Sequence, residues 1–173
     1  MSQPAIIVAP STDARKLSAV ARACFLETFA DLIEFDDIAL RARDEDSPDG
    51  IAADMAKGAR LWLASVKSTG SPVGYAMLCP PDLPDVETGE NDAELKRIYL
   101  LHRFQGGGTG LRLLQAVIAQ AREQGAPRLL LGVHAGNPAV LWYQRQGFAK
   151  IGERRFRVGD SYFNDDIMAL ELG

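Results

Sequence analysis

The run from residue 95 to residue 114, LKRIYLLHRFQGGGTGLRLL, constrains the fold more than any other part of the chain. An apolar, strand-like segment leads straight into Gln105, Gly106, Gly107, Gly108, Thr109 and Gly110, and an amphipathic helical pattern follows at once. Glycines at a helix start are costly in chain entropy, so four of them need a reason. Bare backbone N–H groups at a helix N-terminus converge on an anion, and the helix dipole adds to the attraction. A flexible glycine turn is the plainer alternative.

Two phosphate-binding patterns are not met. A P-loop requires Gly-Lys followed by Ser or Thr, whereas this loop continues Gly110-Leu111-Arg112. A dinucleotide fingerprint requires a third glycine, which would fall on Leu111 or on Leu113, and the next strand ends Gly132-Val133-His134 without the acid that binds ribose. Gln-x-x-Gly-x-Gly is met by Gln105, Gly108 and Gly110.

The rest of the chain reads as α+β around one sheet. Residues 5–8 form a short strand, and Ser11 or Thr12 offers a cap for a long helix carrying Leu17, Val20, Ala21, Cys24, Phe25 and Phe29 at helical spacing. A second helix covers residues 36–43, and Ser47-Pro48-Asp49 starts a third. Residues 61–66 and 73–78 flank a turn at 68–71 as a hairpin, and a loop rich in proline and acid spans 80–92. A strand at 95–101 precedes the glycine loop, and the helix at 109–124 has Leu111, Leu114, Ile118 and Ala121 on one face. The apolar run 128–134 reads as a central strand, residues 138–146 as a short helix, and 148–156 with 162–170 as a closing antiparallel pair around Gly159-Asp160.

At 173 residues, with 47% hydrophobic and 24% charged residues, the chain is expected to be a single domain, 1–173, burying roughly 70% of its unfolded surface. A net charge of −4 argues against nucleic acid and anionic membranes as partners. Cys24 and Cys79 make no disulfide framework, and His102 and His134 lie far from any cysteine cluster, so no metal is expected. No secretory leader or long apolar run is present in the sequence, and a cytoplasmic location is expected.

With its downstream partner, the glycine loop resembles the GNAT superfamily of acetyl-CoA-dependent N-acetyltransferases, which places Gln-x-x-Gly-x-Gly between its fourth strand and third helix. Asn137-Pro138-Ala139-Val140-Leu141-Trp142-Tyr143-Gln144-Arg145-Gln146-Gly147-Phe148 looks like that superfamily's Asn-x-x-Ala…Phe-Tyr-x-x-x-Gly-Phe segment. The resemblance covers residues 6–170. It implies a mixed, mostly antiparallel sheet of about seven strands, flanked by four or five helices and splayed between strands 4 and 5.

The same resemblance distributes the chemistry. The backbone of Ile98, Tyr99 and Leu100 is expected to pair with the pantetheine arm and acetyl carbonyl of acetyl-CoA. The amides of Gly106, Gly107, Gly108, Thr109, Gly110 and Leu111 are expected to hold its pyrophosphate, with Arg103 or Arg112 near the adenosine phosphate. Asn137 is an anchor for pantetheine or a plain N-cap. Tyr143 aligns with the tyrosine that acts as general acid beside the CoA sulfur, and a phenol of reference pKa near 10 suits that task. Glu94 stands eleven residues before Gln105, where histone-type members carry their glutamate base. Gly132 replaces the fifth-strand glutamate of ribosomal-protein acetylating members, and His134 is the reserve base.

The acceptor is expected to be a primary amine on a small molecule. Six acids, Asp82, Asp85, Glu87, Glu90, Asp92 and Glu94, lie between Pro80 and Leu95 without a Lys or Arg, and Glu27, Glu34, Asp36 and Asp37 add charge at the acceptor wall. FLETFADL, ELKRIYLL and DSYFNDDIMAL are similar to the bacterial spermine/spermidine acetyltransferase branch, which favours a polyamine over an amino acid, a peptide N-terminus or an aminoglycoside. A non-catalytic acyl-CoA sensor on the same fold is the alternative. Exposed strand edges at the C-terminal hairpin leave room for a homodimer.

Overall fold

The computed structural model describes residues 4–173, the side chain of residue 156 excepted. In chain order the elements are β1 (Ile6–Pro10), α1 (Ala14–Phe29), α2 (Phe35–Arg43), α3 (Pro48–Ala56), β2 (Arg60–Val66), β3 (Pro72–Cys79) and β4 (Ala93–Leu100). A 3-10 turn (His102–Phe104) follows, then α4 (Thr109–Glu123), β5 (Arg128–His134), α5 (Ala139–Arg145), β6 (Ala149–Val158) and β7 (Ser161–Glu171). The apolar spacing read in the first helix is its buried face: Leu17, Val20, Ala21, Cys24 and Phe25 are all in the interior. Ser47 caps α3 through Gly50 N–H at 3.0 Å, with Pro48 in the first turn, as the sequence predicts.

Two local expectations shift. The cap of α1 is Asp13, which accepts from Lys16 N–H, rather than Ser11 or Thr12. The reason lies upstream: Ser11 N–H still donates to Leu61 O at 2.9 Å, so the chain is tied to β2 until the residue before the turn. The fully buried face of α4 is Leu113, Leu114, Val117 and Ala121, while Leu111 and Ile118 border a groove of about 340 Å³ that reaches Gln146 and Leu170.

The strands form one seven-stranded sheet in the order β1-β2-β3-β4-β5-β7-β6. All neighbours are antiparallel except β4 and β5, which run parallel and are paired only at Ala93↔Leu129 and Glu94↔Leu130. β5 turns its other edge to β7 along its whole length, from Arg128↔Glu171 to His134↔Asp165. Against β3 the register slips between Met77 and Leu78, so Lys96 is an extra residue and β4 bends there, as a bulged strand does. Beyond Glu94 the two half-sheets therefore part, leaving a wedge bounded by residues 96–100 and 131–134.

The helices divide between the faces. α4 and α5 cover one face, where Leu113, Leu114, Val117, Tyr143 and Phe148 pack on Ala76, Leu78, Leu95, Leu129 and Leu131. α1 and α3 cover the other, with Leu17, Val20, Ala21, Cys24 and Ile51 on Leu61, Leu63, Tyr75 and Met77. A buried ion cluster ties the α2–α3 connection to the sheet: Arg97 of β4 reaches Asp46 at 2.9 Å and Glu45 at 3.0 Å, and Arg41 reaches Asp46 at 3.1 Å. Asp37 of α2 accepts from Asp160 N–H and Ser161 O–H, clasping the β6–β7 turn to the helical wall.

Candidate active site

The open edge of β4 follows from its pairing on the other side. Tyr99 is paired with Tyr75, and Leu101 N–H donates to Val73 O at 2.9 Å. Antiparallel pairing alternates along a strand, so the backbone groups of Ile98 and Leu100 point away from β3 into the wedge. One is already used, since Gln105 Nε2 donates to Leu100 O at 2.9 Å and draws the glycine loop back over the strand end. The sequence expectation of backbone available across 98–100 thus narrows to Ile98 and the Leu100 N–H.

The loop is shaped by glycine where only glycine serves. Gly106 (φ 81°) and Gly108 (φ 78°) lie in the left-handed region, and Gly108 is the N-cap of α4. Gly107, Thr109, Gly110 and Leu111 complete the turn, and a Cβ on Gly106, Gly108 or Gly110 would meet no other atom within 4 Å. The first turn of α4 thus faces open space with bare amides, the arrangement that suits a phosphate. Arg112 is not spare for an adenosine phosphate: it donates to Ile6 O at 2.9 Å and to Thr109 Oγ1 at 3.1 Å, binding the edge strand to the helix start. Arg103 lies with its guanidinium 5.7 Å from the centre of the Phe104 ring.

Asn137 follows the end of β5, and Tyr143 lies on α5. Asn137 Oδ1 accepts from Ala139 N–H at 2.8 Å, so the capping role is real and the side-chain N–H₂ is left over. Tyr143, 7% exposed, packs edge-on to Trp142 and Phe148. Burial first, and the Tyr99 phenol second, push its hydroxyl pKa well above the usual 10.0. Burial thus favours the protonated phenol.

Glu94 lies on the opposite side of the sheet from the α4 face, between Ala93 and Leu95, which pack under α4. Glu94 is 2% exposed, at the closed end of the wedge, and its Oε2 accepts from Asp82 N–H at 2.7 Å. Burial raises its pKa above the ordinary 4.5, against the opposing pull of that N–H and of Arg154. Leu83 and Val86 of the acidic loop pack on Leu130, Ile167 and Ala169 and roof this end. Asp92 has no free charge to attract an amine. It is bound to Arg128 at 2.6 Å and to Gly89 N–H, which hold its carboxyl below the usual range despite burial. Glu27 likewise accepts from His102 N–H, and Asp37 serves the hairpin clasp. All three acids have structural partners, but only Asp92 is neutralised by a cation; Glu27 and Asp37 accept from neutral donors and keep their charge.

Two residues of this face escaped sequence reasoning. Arg154 of β6 bonds Asp165 of β7 at 3.3 Å and reaches on over β5, where a Cβ on Gly132 would lie 2.7 Å from its Nη2. In GERRFRV and NDD these look like surface charges. The one signal was Gly132 inside an apolar strand, which marks close approach of another group. Cys24 and Cys79 are inert by comparison, burial pushing their thiols up to about 12 and about 11. Among the described residues no group of His, Cys, Asp and Glu is arranged to hold a metal ion, and no helix is long and apolar enough to cross a membrane.

A model of the acetyltransferase (GNAT) family matches residues 21–148, most of the chain. This chain belongs to the GNAT family. An uncharacterized N-acetyltransferase of Mycobacterium tuberculosis is 33% identical over 162 residues, covering 93% of this chain and 99% of that protein. A second relative, from Lactobacillus delbrueckii subsp. lactis, is 27% identical over 168 residues, 96% of each chain. Among solved structures, the PaiA N-acetyltransferase of Thermoplasma acidophilum in complex with coenzyme A shares the fold with a TM-score of 0.71, at 20% identity over 96% of this chain and 99% of that one. A GNAT acetyltransferase of Staphylococcus aureus gives 0.72 at 20% identity, over 98% of this chain and 100% of the other. The protein is an N-acetyltransferase of GNAT type, and its open mixed sheet with the parallel β4–β5 pair is the fold of that family. The family match ends at Phe148, so the β6–β7 hairpin that supplies Arg154 and Asp165 lies outside it.

Proposed function

We propose that this GNAT protein moves an acetyl group from acetyl-CoA to the primary amine of a small molecule, with a polyamine-like acceptor favoured. The observation that carries the reading is the wedge itself. β4 and β5 pair only at Ala93 and Glu94, Gly106, Gly108 and Gly110 face open space, and Glu94 is buried at the paired end; in this reading the Tyr143 phenol faces the same opening. In this reading the amides of residues 106–111 hold the pyrophosphate, Ile98, Tyr99 and Leu100 line the pantetheine, and Gln105 and Asn137 fix the loop and the far wall. The bound cosubstrate supplies an acetyl thioester. Glu94 takes one proton from the acceptor ammonium, and the freed amine forms a C–N bond at the thioester carbonyl as the C–S bond breaks. Tyr143 protonates the departing thiolate sulfur and is reprotonated by the second proton the nitrogen sheds. The aromatic and apolar groups on the acceptor face, Phe29, Tyr99 and Phe163, suit an aliphatic chain with an ammonium at its end.

The test is free-CoA release with a panel of spermidine, amino acids, a peptide and an aminoglycoside. Acceleration by a primary amine is expected; tight acetyl-CoA binding without turnover on any of them favours the sensor instead. Glu94→Gln adds a sharper check. In wild type, kcat/KM falls on the acid side with a midpoint above 4.5, and the variant loses that limb together with most of its rate. Because the folded pKa is the higher one, the ionised carboxylate is the disfavoured form, and stability drops as pH rises through that value. Glu94→Gln is therefore expected to raise Tm at pH 8 and to lose that advantage below pH 4.5, measured by scanning fluorimetry.

A further inference from the structure

β4 lies between β3 and β5, yet one of its residues reaches solvent: Lys96 is exposed, while Glu94, Leu95 and Arg97 around it are buried. Lys96 is the extra residue of the register slip against β3, two positions after Glu94, where the pairing with β5 ends. Leu95 packs under α4, and Arg97 turns to the ion cluster on the other face. The way out for Lys96 is then the opening where β4 and β5 part. Against the burial that raises both groups, its charge favours the ionised forms of Glu94 and of Cys79, the partner of Glu94 in β3. The ammonium therefore lies at the closed end of that opening. Other cations of the inner strands are held by buried carboxylates, Arg97 by Asp46 and Arg128 by Asp92. Lys96 has no hydrogen bond or ion pair to another side chain among the described residues. An amine kept beside the base, in the opening that a thioester enters, has the proximity that makes transfer intramolecular.

We infer that Lys96 is an internal acceptor of this site, a place of covalent modification whose ε-nitrogen takes the acetyl group of bound acetyl-CoA when no external amine is in the cleft. The step balances without a further reactant. The ε-ammonium gives one proton to Glu94, and the freed nitrogen bonds the thioester carbonyl carbon as the C–S bond breaks. Tyr143 protonates the thiolate sulfur and regains a proton from the nitrogen, leaving ε-N-acetyllysine at position 96 and free CoA. The modification removes a cation from beside Glu94. This inference rests on the acetyl transfer proposed above.

The test incubates wild type with acetyl-CoA and no amine, and follows its peptides by mass spectrometry over time. Lys16, Lys57 and Lys67 are exposed on α1, at the end of α3 and after β2, so they report the acetylation that acetyl-CoA gives any surface lysine. Expected is one acetyl group at Lys96, gained at least about tenfold faster than at those three and at a rate per molecule unchanged by about tenfold dilution. Spermidine, or whichever panel amine is turned over fastest, should slow this labelling by competing for the same thioester. Lys96→Arg should lose the label and keep its Tm, because the side chain is exposed. Labelling of Lys96 no faster than of Lys57 and Lys67 overturns the inference, and amine acetylation stands if the same preparation acetylates a panel amine. A rate per molecule that rises with protein concentration overturns the internal step. Wild type that transfers acetyl neither to Lys96 nor to any amine overturns both readings.

Discussion

Tyr143→Phe is expected to lower kcat by about a hundredfold, at the lower end of what a positioned general acid contributes, while acetyl-CoA still binds. The substitution removes one oxygen from a ring already fixed by Trp142 and Phe148, so the fold has no reason to change. In the proposed mechanism, what disappears is the proton for the departing thiolate. Because burial raises the phenol pKa above 10.0, the wild-type rate is not lost on the alkaline side until beyond the ordinary tyrosine range. Stopped assays of CoA release, with calorimetric titration of acetyl-CoA, separate the two effects. A kcat within about threefold of wild type would remove Tyr143 from the mechanism.

The second large effect is expected at Gly110. Its Cβ would touch nothing within 4 Å, and its φ is not in the left-handed region, so the apo fold accepts alanine there. Glycine within a helix is worse than alanine by roughly 0.5–1 kcal/mol, so Gly110→Ala should raise the apo Tm slightly. If the pyrophosphate sits against these amides, the added methyl group occupies its approach and acetyl-CoA KM rises by about tenfold or more. A stabilised apo protein with weakened cosubstrate is a combination that packing alone does not produce. Equal acetyl-CoA affinity in the variant would detach the loop from phosphate binding.

Much of this architecture was legible before the coordinates. The glycine loop, the caps at Ser47 and the run 128–134 are local features, written in neighbouring residues and subject to near-universal backbone rules. The splay between β4 and β5 was expected only by family resemblance. Its physical cause, an extra residue at Lys96 in the β3–β4 register, involves partners some twenty residues apart. The acceptor face was least legible for the same reason. Asp37, Asp92 and Arg112 find partners 36 to 124 residues away in sequence, and Arg154, bonded to Asp165 on the adjacent strand, also reaches Gly132 on the non-adjacent β5; nothing near them in the chain distinguishes them from solvated charges. Of the six acids between Pro80 and Leu95, Asp92 and Glu94 are inside the protein, which their sequence neighbourhood does not reveal.

The single-sided pairing of β4 also writes a pattern in time. Tyr99 and Leu101 hold their amide hydrogens in bonds to β3, whereas those of Ile98 and Leu100 face the wedge with no strand beyond them. In deuterated solvent one strand should thus exchange in alternation, slow and fast by turns, although all four residues share one rigid ladder. Filling the wedge should slow Ile98 and Leu100 and leave their neighbours as they were, so two amides report on cosubstrate occupancy from inside the sheet.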